Sequence, residues 1–263
     1  MGYHFFDYKY NIPNFSSDLF STWHIIYIIL AYLSCILLCI FLPKKKKHNI
    51  DLFLKIIGIA VLIAEISKVS FESYFDITTG RGFNVGGIMP CYTCSLFIYC
   101  TLLAGFTKGK VKDICISFLS TIGLISGAIG VVYCNGLNFY PFWTFGAFYS
   151  LFFHYSMMLT GIVLLASKYK KLEWKDAIYS WLPIVILSVA AIPLNHVFNA
   201  DYMQLRDGTG VPLYHDLALY LIDHKLGFIY TIIMLFTYIP LSGLVIGLYK
   251  IIVKISGKKV ANE

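Results

Sequence analysis

Seven apolar blocks of about 20 residues run through this chain, at 22–42, 53–73, 88–106, 113–134, 145–167, 178–198 and 226–249. A bilayer core about 30 Å thick asks for roughly 20 apolar residues per helix. Alternation, the mark of a half-buried strand, is missing from all seven. Only 13% of residues are charged, about half the share in a soluble domain. The expected fold is all-α: one polytopic domain over residues 1–263 with seven transmembrane helices. The first block is read as a retained span, because no basic segment and no small-x-small cleavage site accompanies it.

Lysine and arginine give the orientation. The connections at 43–55, 107–112 and 168–177 and the tail after 249 hold 16 of them: Lys44 to Lys47, Lys55, Lys108, Lys110, Lys112, Lys168, Lys170, Lys171, Lys175, Lys250, Lys254, Lys258 and Lys259. The other side holds four, Lys9, Arg81, Arg206 and Lys225, with Lys68 inside a helix. The positive-inside rule then puts the N-terminus outside and the C-terminus in the cytoplasm of a cell membrane. The net charge of +7 is spent on topology, so membrane lipids are the expected partners and nucleic acid is not. Gly123, Gly127 and Gly130 form a small-residue face suited to close helix packing. Pro183, Pro193 and Pro240 are expected to kink their helices.

Ionisable groups in a membrane usually face the bundle interior or a wet cavity. Glu65, Lys68 and Glu72 are spaced by three and four, on one helical face, where Lys68 can pair with either carboxylate. At about 1.5 Å per residue, Glu65 and His154 lie roughly 13 Å below the outer surface and Cys94 roughly 9 Å. His24, Asn195 and His196 sit near the outer ends of their helices, and the inner half reads as nearly free of polar groups. One pocket opening outward accounts for this set, and so do separate local hydrogen bonds.

Cys91 and Cys94 stand behind Pro90 in "MPCYTC". A zinc site needs three or four ligands, and no second Cys-x-x-Cys and no His-x-x-x-His exists, so no metal and no cofactor is expected. A redox pair at a helix start and a nucleophilic thiol served by a base such as His154 both remain open. Cys35, Cys39, Cys100, Cys115 and Cys134 read as small hydrophobes.

Three stretches, "IMPCYTCSLFI" (88–98), "FYSLFFHYSMMLTGIVLL" (148–165) and "LNHVFNADYMQLRDGTGVP" (194–212), resemble the YwaF-like bacterial integral membrane family. "STWHIIYI" (21–28) and "LIAEISKVS" (62–70) resemble its first two helices more loosely. The family includes a vertebrate transmembrane relative that is a cysteine-dependent phospholipid acyltransferase. The resemblance implies a lipid acyltransferase or acyl hydrolase with Cys94 as nucleophile and His154 as base, and Cys91 matches no functional position. Substrate contacts would come from Glu65, Lys68, Glu72, His24, Asn195, His196, Asp201 and Tyr202. Asp201 stands where the family carries Asn, and the spacer Arg206 to Gly210 is longer. The loop at 78–87 and the loop at 199–225 would cover the mouth, with an interfacial helix at 212–224. The same polar set also fits a small-molecule transporter or sensor, and a scaffold would need none of it.

Overall fold

The computed structural model describes residues 3–12, 14–42, 47–208 and 212–255. Lys44 to Lys46, Gly210, Lys258 and Lys259, used above, lie outside the described residues. Among the described residues the structure is helical without strands: α1 (Thr22–Phe41), α2 (Lys47–Thr78), α3 (Val85–Ile88), α4 (Leu96–Phe106), α5 (Gly109–Ser120), α6 (Ile122–Val132), α7 (Phe145–Ala166), α8 (Lys175–Val197), α9 (Pro212–Asp223) and α10 (Gly227–Ile255). Among the described residues, five helical stretches are long and apolar enough to cross a membrane: α1, Gly109–Asn138, α7, α8 and α10. Of the other two expected spans, α2 has the length, 32 residues, but carries Asp51, Lys55, Glu65, Lys68, Glu72 and Asp76. The second, α4, is apolar but only 11 residues long.

The block at 88–106 is not one helix. Pro90 has no N–H to give and steers its predecessor out of the α region, and Met89 is extended (ψ 129°). The chain then turns through residues 92–95, with N–H of Ser95 donating to the Tyr92 carbonyl at 2.9 Å and Phe97 to Cys94 at 2.9 Å. The helix starts only at Leu96, so Cys91 and Cys94 lie in an unwound segment ahead of it. The block at 113–134 is also divided. Thr121 (φ −126°, ψ −86°) separates α5 from α6. Its hydroxyl donates to the Ser117 carbonyl at 2.7 Å, the back-bonding by which Thr bends helices. By contrast α8 runs on through Pro183 and Pro193, and α10 through Pro240.

Glycines set the closest approaches. A Cβ on Gly127 would collide with Met157 and Met158, and one on Gly130 with the ring of His154. Gly161 of α7 closes the same seam from the other side, against Leu124 and the Leu119 carbonyl. Between α2 and α4, Gly58 lies against Thr101 and Leu102, and Gly105 against Lys55. In that antiparallel register Glu65 comes level with Ser95, where α4 begins.

Residues 3–12 and 14–21 lie over one end of the bundle. Phe145 N–H donates to the Phe5 carbonyl at 2.6 Å and Asp18 N–H to the Leu137 carbonyl at 2.9 Å. Asp18 also accepts from Phe142 N–H at 2.7 Å. Tyr8 is fully buried, its ring stacked on Phe75 with centroids 5.1 Å apart.

The opposite end is richer in polar groups than the sequence reading allowed. Asp176, fully buried, pairs with Lys170 at 2.8 Å and accepts from the Ser117 hydroxyl at 2.9 Å. Thr121 and Ser180 hydroxyls meet at 2.6 Å. Asp51 accepts from Lys112 at 2.7 Å and from the Tyr169 hydroxyl. These groups escaped the depth argument because each was taken as part of a solvated connection or as a neutral helix residue.

Candidate functional site

The buried face of α2 runs Ile50, Leu54, Gly58, Val61, Glu65, Glu72 and Asp76, spaced by three, four or seven as one side of a helix requires. A buried carboxylate needs partners, and each of the three has a tyrosine. The Tyr149 hydroxyl donates to Glu65, that of Tyr140 to Glu72 at 3.2 Å and that of Tyr8 to Asp76 at 2.5 Å. Lys68 reaches Oε2 of Glu72 at 3.5 Å, and Lys9 from the N-terminal segment reaches Oε1 at 3.4 Å. Lys68 also lies over the Tyr149 ring, 5.9 Å from its centroid. Of the two carboxylates open to it in the sequence, Lys68 takes Glu72.

Cys94 is half-buried at the entry to α4. Glu65 and Lys68, of opposite charge, are the charged side chains that act on its sulfur, while the Ser95 N–H is spent on the Tyr92 carbonyl. Thr93 and Tyr238 share a hydrogen bond at 2.9 Å, which ties this segment to α10. Tyr92 packs edge-on against Tyr202 at 5.4 Å, and the Tyr99 hydroxyl returns to the Pro90 carbonyl at 2.9 Å. The unwound segment is therefore held from several sides. Cys91 is buried beside it.

His154 occupies the other face of α7. Its Nδ1–H donates to the Ser150 carbonyl at 2.8 Å, so Nε2 carries the lone pair, and its ring fills the space left by Gly130. No hydrogen bond joins His154 to Cys94 among the described residues. Their helices meet through rings instead: Phe97, one turn along α4 from Cys94, packs edge-on to Phe153 at 5.8 Å, and Phe153 to His154 at 5.9 Å.

The remaining candidates are tied into the scaffold, apart from His196. His24 uses both ring nitrogens, with Phe20 N–H donating to Nδ1 at 3.0 Å and Nε2–H donating to the Val131 carbonyl at 3.1 Å. Asn195 exchanges two hydrogen bonds with the Tyr202 backbone, at 3.1 and 2.6 Å. The Tyr202 hydroxyl then donates to Val85 at 3.0 Å, which joins the two loops expected to cover the mouth. Asp201 accepts from the N–H of Arg206 at 2.8 Å, shaping its own loop, and His196 is exposed.

Sequence reasoning missed Tyr8, Lys9, Asp76, Tyr140 and Tyr149. Asp76 carried a signal, since it falls four residues after Glu72 on the same face. The tyrosines carried none, because their partners lie 68 to 84 residues away.

The family model of the TMEM164 family matches residues 19–238. No curated protein matches the chain, and no solved structure does.

Proposed function

The chain belongs to the TMEM164 family and is a multi-pass membrane protein, and from that premise we propose that it is a membrane-embedded lipid acyltransferase or acyl hydrolase working through Cys94. The observation that carries this reading is the position of the thiol. It sits in an unwound segment at a helix start, with Lys68 and Glu65 of α2 as its charged neighbours. Helix N-termini and neighbouring lysines are the surroundings in which thiols become nucleophiles.

In the reaction, the Cys94 sulfur loses its proton and attacks the ester carbonyl of a lipid. The ester C–O bond breaks, a thioester forms, and the lysolipid leaves as an alcohol carrying a proton. An acceptor hydroxyl, or water in the hydrolase, then gives its proton to Nε2 of His154 and attacks the thioester. The C–S bond breaks, the acyl group leaves with the acceptor, and the proton held on Nε2 passes through water to the thiolate, which restores the thiol and the neutral histidine. His154 lies on the other face of α7 with its ring against Gly130, so a water is needed to carry the proton from the incoming hydroxyl to Nε2. The role of His154 itself rests on the sequence resemblance. The bundle is proposed to span the membrane seven times, through α1, α2, the segment 88–106, α5 with α6, α7, α8 and α10, with the N-terminus outside and α9 in the interface. Glu65, Lys68, Glu72, Asn195, Asp201 and Tyr202 shape the site directly or through the loops they hold, whereas His24 is spent on Phe20 and Val131 and His196 is exposed.

The test is chemical. Purified protein is incubated with phospholipid carrying a labelled acyl chain, and intact mass is searched for a hydroxylamine-sensitive adduct. The reading expects the adduct in wild type and its loss in Cys94→Ala, and a Cys94→Ala protein with full cellular function rejects it. The buried charges of α2 favour a second reading, a small-molecule transporter or sensor. Flux in vesicles that survives Cys94→Ala but not Glu65→Gln would select transport.

A further inference from the structure

Lys9 was read from the sequence only as one of four basic residues on the sparsely charged side, yet the structure brings it into the polar cluster beside Cys94. The chain of contacts is short. Lys9 Nζ lies 3.4 Å from Oε1 of Glu72, and Lys68 Nζ lies 3.5 Å from Oε2 of the same carboxylate. Lys68 is one of the two charged side chains acting on the Cys94 sulfur, Glu65 being the other. The glycine contacts between α2 and α4 bring Glu65 level with Ser95, next to the thiol, and Lys68 stands one turn along the same face, over the ring of the Tyr149 that donates to Glu65. The other titratable groups facing the thiol are Tyr149 of α7, Tyr238 of α10 and Tyr92 of its own segment. Among these groups the one cation is Lys68.

A single carboxylate shared by two ammonium groups divides its attraction between them. With Lys9 in place, Glu72 is partly neutralised and the positive field of Lys68 is left for the thiol. Without Lys9, Glu72 and Lys68 close into a simple pair. We propose that Lys9 is a positioning residue for Cys94, acting through Glu72 and Lys68 to keep a positive charge available to the sulfur. The N-terminal segment thereby contributes a working part of the site. This rests on Cys94 being the nucleophile, but its test does not need the acyl reaction.

The experiment measures the rate of Cys94 alkylation by iodoacetamide against pH in the full-length protein in lipid nanodiscs. Fragment mass spectra separate Cys94 from Cys91. Lys68→Met is expected to slow alkylation at pH 8 about tenfold, the effect of one pH unit on the thiolate fraction. Lys9→Met is expected to slow it by about threefold, half a unit by the same relation. Lys9→Arg and Lys68→Arg keep the charge and are expected to restore the rate, which separates an electrostatic effect from a folding defect. Lys175→Met, which removes an exposed lysine outside this cluster, is expected to leave the profile where it is. The proposal is overturned if Lys9→Met matches wild type, if the arginine variants stay as slow as the methionine ones, or if Lys175→Met moves the profile as far as Lys9→Met. A profile that moves as stated, in a protein that forms no Cys94 acyl adduct, removes the acyltransferase reading and leaves this inference standing. An adduct with an unmoved profile does the reverse.

Discussion

The hydroxyl of Tyr8 donates to Asp76 at 2.5 Å, joining the N-terminal segment to the far end of α2. Both residues are buried, so neither finds water as a substitute. Tyr8→Phe keeps the ring stack on Phe75 and removes only the donor. It should lower stability by about 1–3 kcal/mol, the cost of leaving a buried polar group unsatisfied. Thermal unfolding in detergent reads this as a fall in Tm, and Tyr8→Phe combined with Asp76→Leu should recover part of it.

Glycine substitutions should divide by what faces them. Gly127→Ala places a methyl against Met157 and Met158 and should cost about 1–3 kcal/mol, the usual penalty of overpacking. Gly243→Ala in α10 meets nothing within 4 Å and should be neutral or stabilising by about 0.4–1 kcal/mol. The same unfolding measurement ranks the pair, and equal effects would contradict the packing described for α6 and α7.

Asp51 gives a pH signature. Burial works to raise its pKa, but the bonds from Lys112 and Tyr169 outweigh it and hold the carboxyl below the usual value of 3.8. A depressed carboxylate stabilises the fold above its unfolded pKa and loses that contribution as pH falls through its folded pKa. The Tm difference between wild type and Asp51→Asn should therefore stay constant from about pH 5 to 8 and close as pH falls below about 4. A gap that widens in acid would reverse the assignment.

Lys170 and Asp176 form the most enclosed ion pair at the other end, with the carboxylate fully buried. Lys170→Met strands that charge and should cost about 3–5 kcal/mol. The double change Lys170→Met with Asp176→Leu should cost less than the single one. A double-mutant cycle on unfolding midpoints tests the coupling.

The all-helical character and several of the spans were legible because hydrocarbon thickness leaves a direct mark on block length. Local exceptions were harder to see. Pro90 announced a helix boundary, yet the apolar residues on both sides of it masked the unwound segment at 89–95. Thr121 looked like any small residue in a helix, and its break arises from backbone angles that composition does not encode. At the candidate site the face of Glu65, Lys68 and Glu72 could be read from spacing alone. Their partners could not, since nothing in an aromatic-rich α7 marks Tyr149 as the residue that meets Glu65. Lys9 looked like a solvated charge near a terminus. Gly130 was legible as a packing position, but its fit to the His154 ring depends on the register of α6 and α7.

The carboxylate ladder of α2 bears on how the chain is made. Charged residues at a membrane helix centre cost about 2.5–3.5 kcal/mol each on insertion scales, and in the seven-span arrangement proposed above α2 would carry Glu65, Lys68 and Glu72 within the bilayer. Tyr140 and Tyr149, which pair with Glu72 and Glu65, are synthesised some 70 to 80 residues later. During translation α2 is therefore a poor candidate for release into lipid by itself. In that arrangement it would have to stay with the insertion machinery, or at the membrane surface, until α7 has emerged, so that two helices far apart in the chain enter the bilayer as one unit.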